Sequence, residues 1–342
     1  MFLKRLALPT LALGALVLAG CSSPAGQEAQ DPTGGSDNTA NQVTLGLTYI
    51  PNVQFAPAYV GVEEGFFASE GADLKIRHHG SDEGLFTALF AGEEQMVVAT
   101  GDEMAIARSQ GMDLVSVGQY YAKYPVVVIV KEDSDIKTFA DLRGHKVGLP
   151  GEFGSNWYGL LSALAAHNMS VNDIELTSIG FTQLAALQAG EVDAVVGFTN
   201  NDTVQFELAN VGVRELEMSP AGELPLIGAN VVTTAKFASE NPELVKAVLE
   251  GLRQAKHLCV DDPDKAVEVT QGYDPNLSAP GATDAAKATL LATNKLFEKD
   301  GEVTMRQDLD TWAAMLDFLA TQDGLLADDI KLDETVTNDF VK

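Results

Sequence analysis

Cysteine is almost absent from this chain, because its 342 residues contain only Cys21 and Cys259. A fold that depends on disulfide bonds needs more cysteines than this, so a small disulfide-stapled scaffold is excluded. Cys259 continues a helical pattern that includes Leu252 and Ala255, and we predict that it is a small residue of the core. The folded state must therefore depend on an ordinary apolar core.

Positive charge is also scarce. Lys and Arg number 22 against 49 Asp and Glu, which gives a formal net charge of −27 at pH 7. A body this acidic repels nucleic acid and anionic lipid headgroups, so we predict no nucleic-acid partner. A polyanionic ligand is disfavoured as well, unless a local cationic pocket overrides the net charge.

The usual signs of catalysis and of metal binding are missing. The one adjacent histidine pair, His78 and His79, lies in a strand pattern, where neighbouring side chains point to opposite faces and make a poor metal site. Ser155 stands neither in a G-x-S-x-G elbow nor beside an evident His-Asp pair. We therefore predict no catalytic residue, no metal and no cofactor.

Long apolar runs are absent except at residues 6–18, which follow Lys4 and Arg5. This run is too short to span a bilayer core of about 30 Å as a helix, and its charge and length are typical of a secretory signal peptide. It ends in the letters LAGC at residues 18–21, which resemble the lipobox of bacterial lipoproteins. We predict that residues 1–20 are a signal peptide and that Cys21 carries a lipid anchoring the chain to the extracytoplasmic face of the cell membrane. A plain secretory signal with a chance cysteine is the alternative.

The segment after this cysteine has no large apolar residue up to residue 42. Such a segment cannot bury enough surface to offset its ordering entropy, so we predict that residues 21–42 are a flexible tether. The folded body is expected to start near Val43. The rest of the chain is long enough for two domains, or for one domain with two lobes.

The body alternates short apolar runs with helical patterns, which is typical of an α/β architecture with mainly parallel sheets. Two such α/β blocks are followed by a helical C-terminal tail. We predict that residues 43–127 and 228–342 form lobe one and that residues 128–227 form lobe two. Hinges are expected where the chain crosses, near residues 125–128 and 226–229, with a ligand cleft between the lobes.

The loops that follow the predicted strands are where a binding site is expected, because ligands in doubly wound sheets sit beyond the carboxyl ends of the strands. The predicted ligand-binding residues are Tyr49, Asn52, Gln54, Phe55, Thr100, Asp102, Tyr120, Tyr124, Phe153, Ser155, Asn156, Trp157, Phe181, Thr199, Asn200 and Asn201. Adjacent Tyr120 and Tyr121 should point to opposite faces. Of the three tyrosines Tyr120, Tyr121 and Tyr124, at most two should therefore reach the cleft. Glu103 and Gly154 lie in the same loops, outside the predicted set.

The chemistry of these loops favours a flat and mostly neutral ligand. Aromatic rings at loop tips expose apolar area unless something flat stacks on them, and amides can read the edge of a heterocycle such as a pyrimidine or an isoalloxazine. Some residues have a structural alternative, since Trp157 could pack in the core, Ser155 could only cap its helix, and Asn200 could belong to a simple turn. A helix start at Gly154 would also receive anionic oxygen, so a sulfonate stays open.

Four short motifs stand along the chain. They are YIPNVQFAP at residues 49–57, EGFF at 64–67 with EG at 70–71, FADLRGHKVG at 139–148 and QAGEVDA at 188–194. As a set they resemble the SsuA/THI5-like (NMT1-like) solute-binding proteins. The resemblance implies a type II periplasmic-binding fold, in which two α/β lobes joined by a hinge close on a ligand. It also implies a monomer that serves the permease and ATPase subunits of an ABC importer.

Within that family, the chain is similar to the riboflavin- and thiamine-precursor-binding branches. This likeness rests on YIPNVQFAP, on GEFGSNWYG at 151–159 and on GFTNNDTVQ at 197–205. It implies riboflavin as the ligand, with a thiamine pyrimidine precursor (hydroxymethylpyrimidine or formylaminopyrimidine) or a sulfonate as alternatives.

Two other classes of protein compete with this interpretation. One is a pyrimidine synthase of the same family, which uses its own histidine, a lysine-bound pyridoxal phosphate and a cysteine-rich cluster for iron. A chain with two cysteines and an export signal does not match it. The other is an interaction lipoprotein without a small ligand, against which the aromatic loop tips argue.

Overall fold

The computed structural model describes residues 41–79, 83–322 and 324–342. The predicted signal peptide, the predicted lipid-attachment residue Cys21 and nearly all of the predicted tether lie outside the described residues. The last residue assigned to the tether, Gln42, instead belongs to the first strand, where its Nε2 donates to Asp73 Oδ2 at 3.1 Å. Over the described ranges, no helix has the length and apolar character that crossing a membrane requires.

Twelve strands occur in the described part of the chain. They are β1 (Gln42–Leu47), β2 (Asp73–His78), β3 (Met96–Thr100), β4 (Leu114–Gln119), β5 (Val126–Lys131), β6 (Lys146–Leu149), β7 (Glu175–Ser178), β8 (Ala194–Phe198), β9 (Val213–Leu216), β10 (Ala229–Thr234), β11 (Glu298–Lys299) and β12 (Glu302–Val303). The first sheet has the order β2-β1-β3-β10-β4, the second has the order β7-β6-β8-β5-β9, and β11 pairs with β12.

Helices cover both sheets and form most of the C-terminal tail. They are α1 (Ala56–Glu63), α2 (Phe66–Glu70), α3 (Thr87–Ala91), α4 (Gly101–Ser109), α5 (Gly154–Ala166), α6 (Gln183–Ala189), α7 (Asp202–Leu208), α8 (Ala235–Glu240), α9 (Pro242–Asp261), α10 (Pro263–Thr270), α11 (Ala282–Phe297), α12 (Leu309–Ala320) and α13 (Leu332–Thr335). Short 3-10 helices lie at Val53–Phe55, Phe139–Leu142, Val171–Asp173 and Pro275–Ser278.

The sheets are mixed rather than mainly parallel, which corrects the expectation from the sequence. In the first sheet, β1 runs parallel to β2 and β3, whereas β10 runs antiparallel to β3 and β4. In the second sheet, β6 runs parallel to β7 and β8, whereas β5 runs antiparallel to β8 and β9. The reversed strands, β5 and β10, are the first strands after the chain crosses between the sheets. Each of these two strands begins at the end of its sheet where the parallel strands finish, and it therefore runs in the opposite direction.

The chain passes from the first sheet to the second between β4 and β5 and returns between β9 and β10. Both predicted hinge segments lie in or beside these two connections, and their role as hinges stays a prediction. The predicted lobe boundary at residues 127 and 128 falls inside β5, all of which pairs within the second sheet.

Two large apolar clusters hold these elements together. One packs α1, α2, α9 and α11 on the first sheet and includes Cys259, whose full burial confirms its prediction as a core residue. In α9, Val245, Val248 and Leu252 recur at helical spacing and are also fully buried. The other cluster joins strands of both sheets around Trp312 of α12. The predicted α/β class with two sheet-centred halves is therefore confirmed.

Candidate ligand-binding site

A cavity of about 390 Å³ lies beyond the carboxyl ends of strands from both sheets. Its lining includes Tyr49 after β1, Thr100 at the end of β3 and Tyr120 after β4, and it includes Phe153 after β6 and Asn201 after β8. The volume falls within the range of about 300–1,000 Å³ that is usual for small-molecule sites. The rule that ligands sit beyond the carboxyl ends of the strands, here called the strand-end rule, thus locates the cavity correctly.

Most of the predicted ligand-binding residues meet in this cavity. Those that line it are Tyr49, Gln54, Phe55, Thr100, Tyr120, Phe153, Ser155, Asn156, Phe181 and Asn201. Their contact with a ligand stays a prediction.

The wall that belongs to the first sheet is buried and internally bonded. Tyr120 is 0% exposed, its hydroxyl donates to the carbonyl of Gln54 at 3.1 Å, and its ring meets Phe297 edge-on at 5.8 Å. Behind this wall, the buried Lys256 Nζ donates to the carbonyl of Gln119 at 2.9 Å and lies 5.3 Å from the Tyr120 ring centre. Burial lowers the pKa of Lys256 to about 7. The Tyr120 ring is therefore held in place without a ligand.

Three aromatic side chains in the cavity lining are exposed instead. Tyr49 is 43%, Phe153 is 58% and Phe181 is 69% exposed. Tyr49 follows β1, whereas Phe153 and Phe181 belong to loops of the second half. Exposed apolar area concentrated at a cavity is typical of a surface that something else covers.

An acidic cluster stands at the start of α4. The Thr100 hydroxyl donates to Glu103 Oε2 at 2.6 Å and also contacts Asp102, while Ser155 Oγ reaches Thr100 from the second half at 3.2 Å. Burial raises the pKa of Asp102, and burial together with the charge of Asp102 raises the pKa of Glu103 to about 7. The Tyr124 hydroxyl has two acceptors in reach, Asp102 Oδ2 at 2.7 Å and the carbonyl of Ser155 at 2.8 Å.

A second carboxyl enters the cavity from the other half. Asp202 is the first residue of α7, and its Oδ2 accepts from the backbone N–H of Phe198 at 2.7 Å. Gly197 is required beside it, because a Cβ there would approach the Asp202 Cβ to 2.7 Å. Burial raises the pKa of Asp202 to about 6. Burial, and then the charge of Asp202, raise the pKa of Tyr49, which lines the same cavity.

The charge of the lining is entirely acidic. Glu103 and Asp202 are its ionisable carboxyl groups, and among the described residues no Lys, Arg or His lines the cavity. Nor does the part of the chain that is described contain a group of three or more His, Cys, Asp or Glu able to hold a metal ion.

Three predicted residues support the structure rather than line the cavity. Asn52 caps the 3-10 helix that follows it, where its side-chain oxygen accepts from the Gln54 N–H at 3.0 Å. Trp157 packs against the apolar cluster shared by both sheets and does not line the cavity. Asn200 is fully buried and donates to Gln54 Oε1 at 2.8 Å and to Thr293 Oγ1 at 3.0 Å. Asn200 therefore orients Gln54, which does line the cavity.

Three further predicted residues also lie outside the lining. Asp102 and Tyr124 bond to each other behind it, and the Thr199 hydroxyl donates to Glu215 at 2.7 Å. Tyr124 and Thr199 instead line a second cavity of about 300 Å³ beside the two connections between the sheets. Tyr121 lines both cavities and so forms part of the wall between them.

Several lining residues were not predicted. They are Thr48, Val98, Ala99, Glu103, Tyr121, Pro125, Pro150, Gly154, Gln183, Phe198, Asp202 and Ala229. The strand-end rule would have found Glu103 and Asp202 if it had been carried one residue further along each loop. Ala229 starts a strand that enters from the opposite edge, so no strand-end signal marks it.

The solved structure of the periplasmic aliphatic sulphonate-binding protein SsuA from Escherichia coli is similar over most of its length. The TM-score is 0.68 at 19% identity, with 86% of this chain and 96% of that chain covered. The similarity confirms the predicted type II periplasmic-binding fold.

Relatives at the level of sequence include binding proteins and a synthase. The riboflavin-binding protein RibY of Chloroflexus aurantiacus is 29% identical over 98% of each chain. The formylaminopyrimidine-binding protein of Halalkalibacterium halodurans is 24% identical, with 94% of this chain and 96% of that protein covered. The 4-amino-5-hydroxymethyl-2-methylpyrimidine phosphate synthase of Legionella pneumophila is 24% identical, with 70% and 76% covered.

The family model described as NMT1/THI5 like matches residues 52–266. This range is more than half of the chain and runs from the loop after β1 into α10, so it includes the lining residues from Gln54 to Ala229. The chain therefore belongs to the NMT1/THI5-like family.

Proposed function

We propose that this protein is the solute-binding component of an ABC importer and that it captures riboflavin between its two halves. The observation that carries the proposal is the lining, which combines exposed aromatic rings with amide, hydroxyl and carboxyl groups and, among the described residues, no cation. An isoalloxazine ring would cover the aromatic rings, and its polar edge and hydroxyl chain would meet the donors and acceptors. The similarity to RibY supports the same ligand.

Each half is proposed to supply a different part of the contact. Phe153 and Phe181 are exposed flat surfaces on which a ring can stack. Gln54, Asn156 and Asn201 offer amide donors and acceptors to the edge of the ligand. The other predicted residues that line the cavity shape it around these groups.

A thiamine pyrimidine precursor is the second candidate ligand. The similarity to a formylaminopyrimidine-binding protein favours it, and an aminopyrimidine could donate to Glu103 or Asp202. A sulfonate fits less well, because the fully acidic lining opposes a negative charge.

The site of action is proposed from the N-terminal sequence. Residues 1–20 would direct export and Cys21 would carry the lipid, so the protein would work as a monomer at the extracytoplasmic face of the membrane, where it meets the permease. The two sheet-centred halves are proposed to move as two lobes about the connections between the sheets, with the first boundary before β5 and not at residues 127 and 128.

We also propose that the chain is a binding protein and not an enzyme. The similarity to a pyrimidine phosphate synthase argues the other way. Yet the residue types that the resemblance implies for that synthase, Cys, His and Lys, are missing from the cavity lining in the described ranges.

Native mass spectrometry of the full chain, purified from the cells that make it, tests this function. We expect a retained ligand with the mass of riboflavin, which denaturation releases unchanged, and quenching of riboflavin fluorescence when the ligand-free protein is titrated. A retained pyrimidine precursor would favour the second candidate. A chemically altered ligand would argue for an enzyme, and a protein that neither retains nor quenches riboflavin would contradict the proposal.

A further inference from the structure

The two carboxyl groups of the cavity reach it from opposite halves. Glu103 belongs to α4 beside the first sheet, and its Oε1 lies 3.3 Å from where a Cβ on Gly154 of the second half would stand. Asp202 belongs to α7 beside the second sheet and lines the same cavity as Tyr49 of the first half. A ligand held between the halves would therefore meet a carboxyl on each side.

Each carboxyl is anchored through one oxygen by its own loop. Glu103 Oε2 accepts from the Thr100 hydroxyl at 2.6 Å, and Asp202 Oδ2 accepts from the Phe198 N–H at 2.7 Å. Such anchoring fixes the direction of the second oxygen, which can accept from a hydroxyl or an N–H of a ligand. The arrangement suits a ligand rich in hydrogen-bond donors.

The same arrangement opposes a ligand that carries negative charge. A phosphate monoester brings a charge of about −1.5 to −2 near neutral pH, and in the described lining no Lys, Arg or His is present to offset it. Buried Lys256 is separated from the cavity by the Tyr120 ring, 5.3 Å from its centre. Water screens poorly in a closed cavity, so two carboxylates repel a phosphate strongly there.

We infer that Glu103 and Asp202 are specificity-determining residues that admit the unphosphorylated form of a flat, donor-rich heterocycle and exclude its phosphate ester and other organic anions. This inference rests on the proposed function for the identity of the heterocycle. The exclusion of anions does not depend on that identity, because it follows from the charge of the lining.

Calorimetric titration of the full chain tests the inference with matched neutral and anionic probes. The probes are riboflavin with riboflavin 5′-phosphate, hydroxymethylpyrimidine with its phosphate, and an alkanesulfonate, each at about pH 8, where both carboxyls are ionised. We expect the wild type to prefer the neutral member of the pair that it binds by about tenfold or more. We expect E103Q/D202N to lose most of that preference by gaining affinity for the phosphorylated member.

The E207Q variant is the matched control, because Glu207 is an exposed carboxyl on the same helix as Asp202 and lies outside the lining. It should leave the preference unchanged, whereas a change as large as that of the double variant would assign the selectivity to net charge and overturn the inference. Thermal melts verify that every variant is folded. The single variants E103Q and D202N should fold as well, because each keeps an acceptor oxygen for Thr100 or Phe198.

The remaining outcomes separate the two proposals. A wild type that binds hydroxymethylpyrimidine but not riboflavin, and that rejects both phosphates, contradicts the proposed ligand and supports the carboxyl selectivity. A wild type that binds riboflavin and its phosphate equally supports the ligand and overturns the selectivity. Binding of the alkanesulfonate by the wild type, or a double variant that still rejects every anion, also overturns it.

Discussion

The two walls of the cavity differ in how far they are formed before a ligand arrives. On the side of the first sheet, Tyr120 is buried, hydrogen-bonded to Gln54 and packed against Phe297. On the side of the second sheet, Phe153 and Phe181 are exposed by more than half. The first wall is rigid where its side chains, such as Tyr120, are also core residues, and Tyr49 is its exposed exception. The second wall gains its burial only when something covers it.

This difference suits capture followed by closure. A preorganised wall lowers the entropy lost on binding, and the exposed rings on the other half would add burial in the closure that we propose. Three predictions test this division between the two walls.

Tyr120→Ala should lower the free energy of unfolding by about 3–5 kcal/mol, because it removes a fully buried ring from the core. Phe181→Ala should change it by less than about 0.5 kcal/mol, since that ring is 69% exposed. Denaturant unfolding of both variants measures the contrast. Similar effects at the two positions would break the distinction between the walls. Tyr120→Phe, which loses only the hydroxyl bond to Gln54, should cost about 1 kcal/mol.

Glu103, on the side of the first sheet, should lower the free energy of unfolding of the protein as the pH rises. Its pKa is raised from the ordinary 4.5 to about 7 by burial and by Asp102, so the folded state is penalised when the carboxyl ionises. The penalty is absent below about pH 4.5 and complete above about pH 7. E103Q should therefore gain stability relative to the wild type across this window, by on the order of 2–3 kcal/mol, since one pKa unit corresponds to about 1.4 kcal/mol.

Chemical denaturation of E103Q and wild type at a series of pH values measures that gain. A difference in unfolding free energy that stays flat between these pH values would show that Glu103 is not buried enough to be penalised. E207Q, which removes an exposed carboxyl, controls for the loss of charge.

Phe181→Ala should weaken riboflavin binding by about tenfold while leaving the fold intact, because the lost contact is a stacking surface. Fluorescence quenching titrations measure the dissociation constant. Phe90→Ala is the matched control, since Phe90 is 48% exposed and lies on α3, outside the lining. Equal affinity of the Phe181 variant and the wild type would remove the second wall from the binding site.

The strand-end rule located the cavity well but could not measure depth. Thr100 ends a strand and Tyr120 and Phe153 follow strands, and all three line the cavity. Tyr124 and Asn200 follow strands too, yet Tyr124 is half-buried and bonds to Asp102, and Asn200 is buried and bonds to Gln54. Loop residues differ in how far they turn back into the protein, and that turn depends on partners such as Asp102 and Gln54 that are distant in sequence.

Local patterns in the sequence were enough to predict the alternation of strands and helices, the edge of the sheets where a cavity forms and the family likeness. These features depend on local periodicity and on turn residues, which can be read along the chain. The directions of β5 and β10 became known only from the tertiary structure. So did the burial of Tyr120 and the exposure of Phe181, and the approach of Glu103 and Asp202 to one cavity from opposite halves. The physical reason is that these facts depend on contacts between remote segments, whose register and depth are set by packing and by burial of charge, and no local pattern records them.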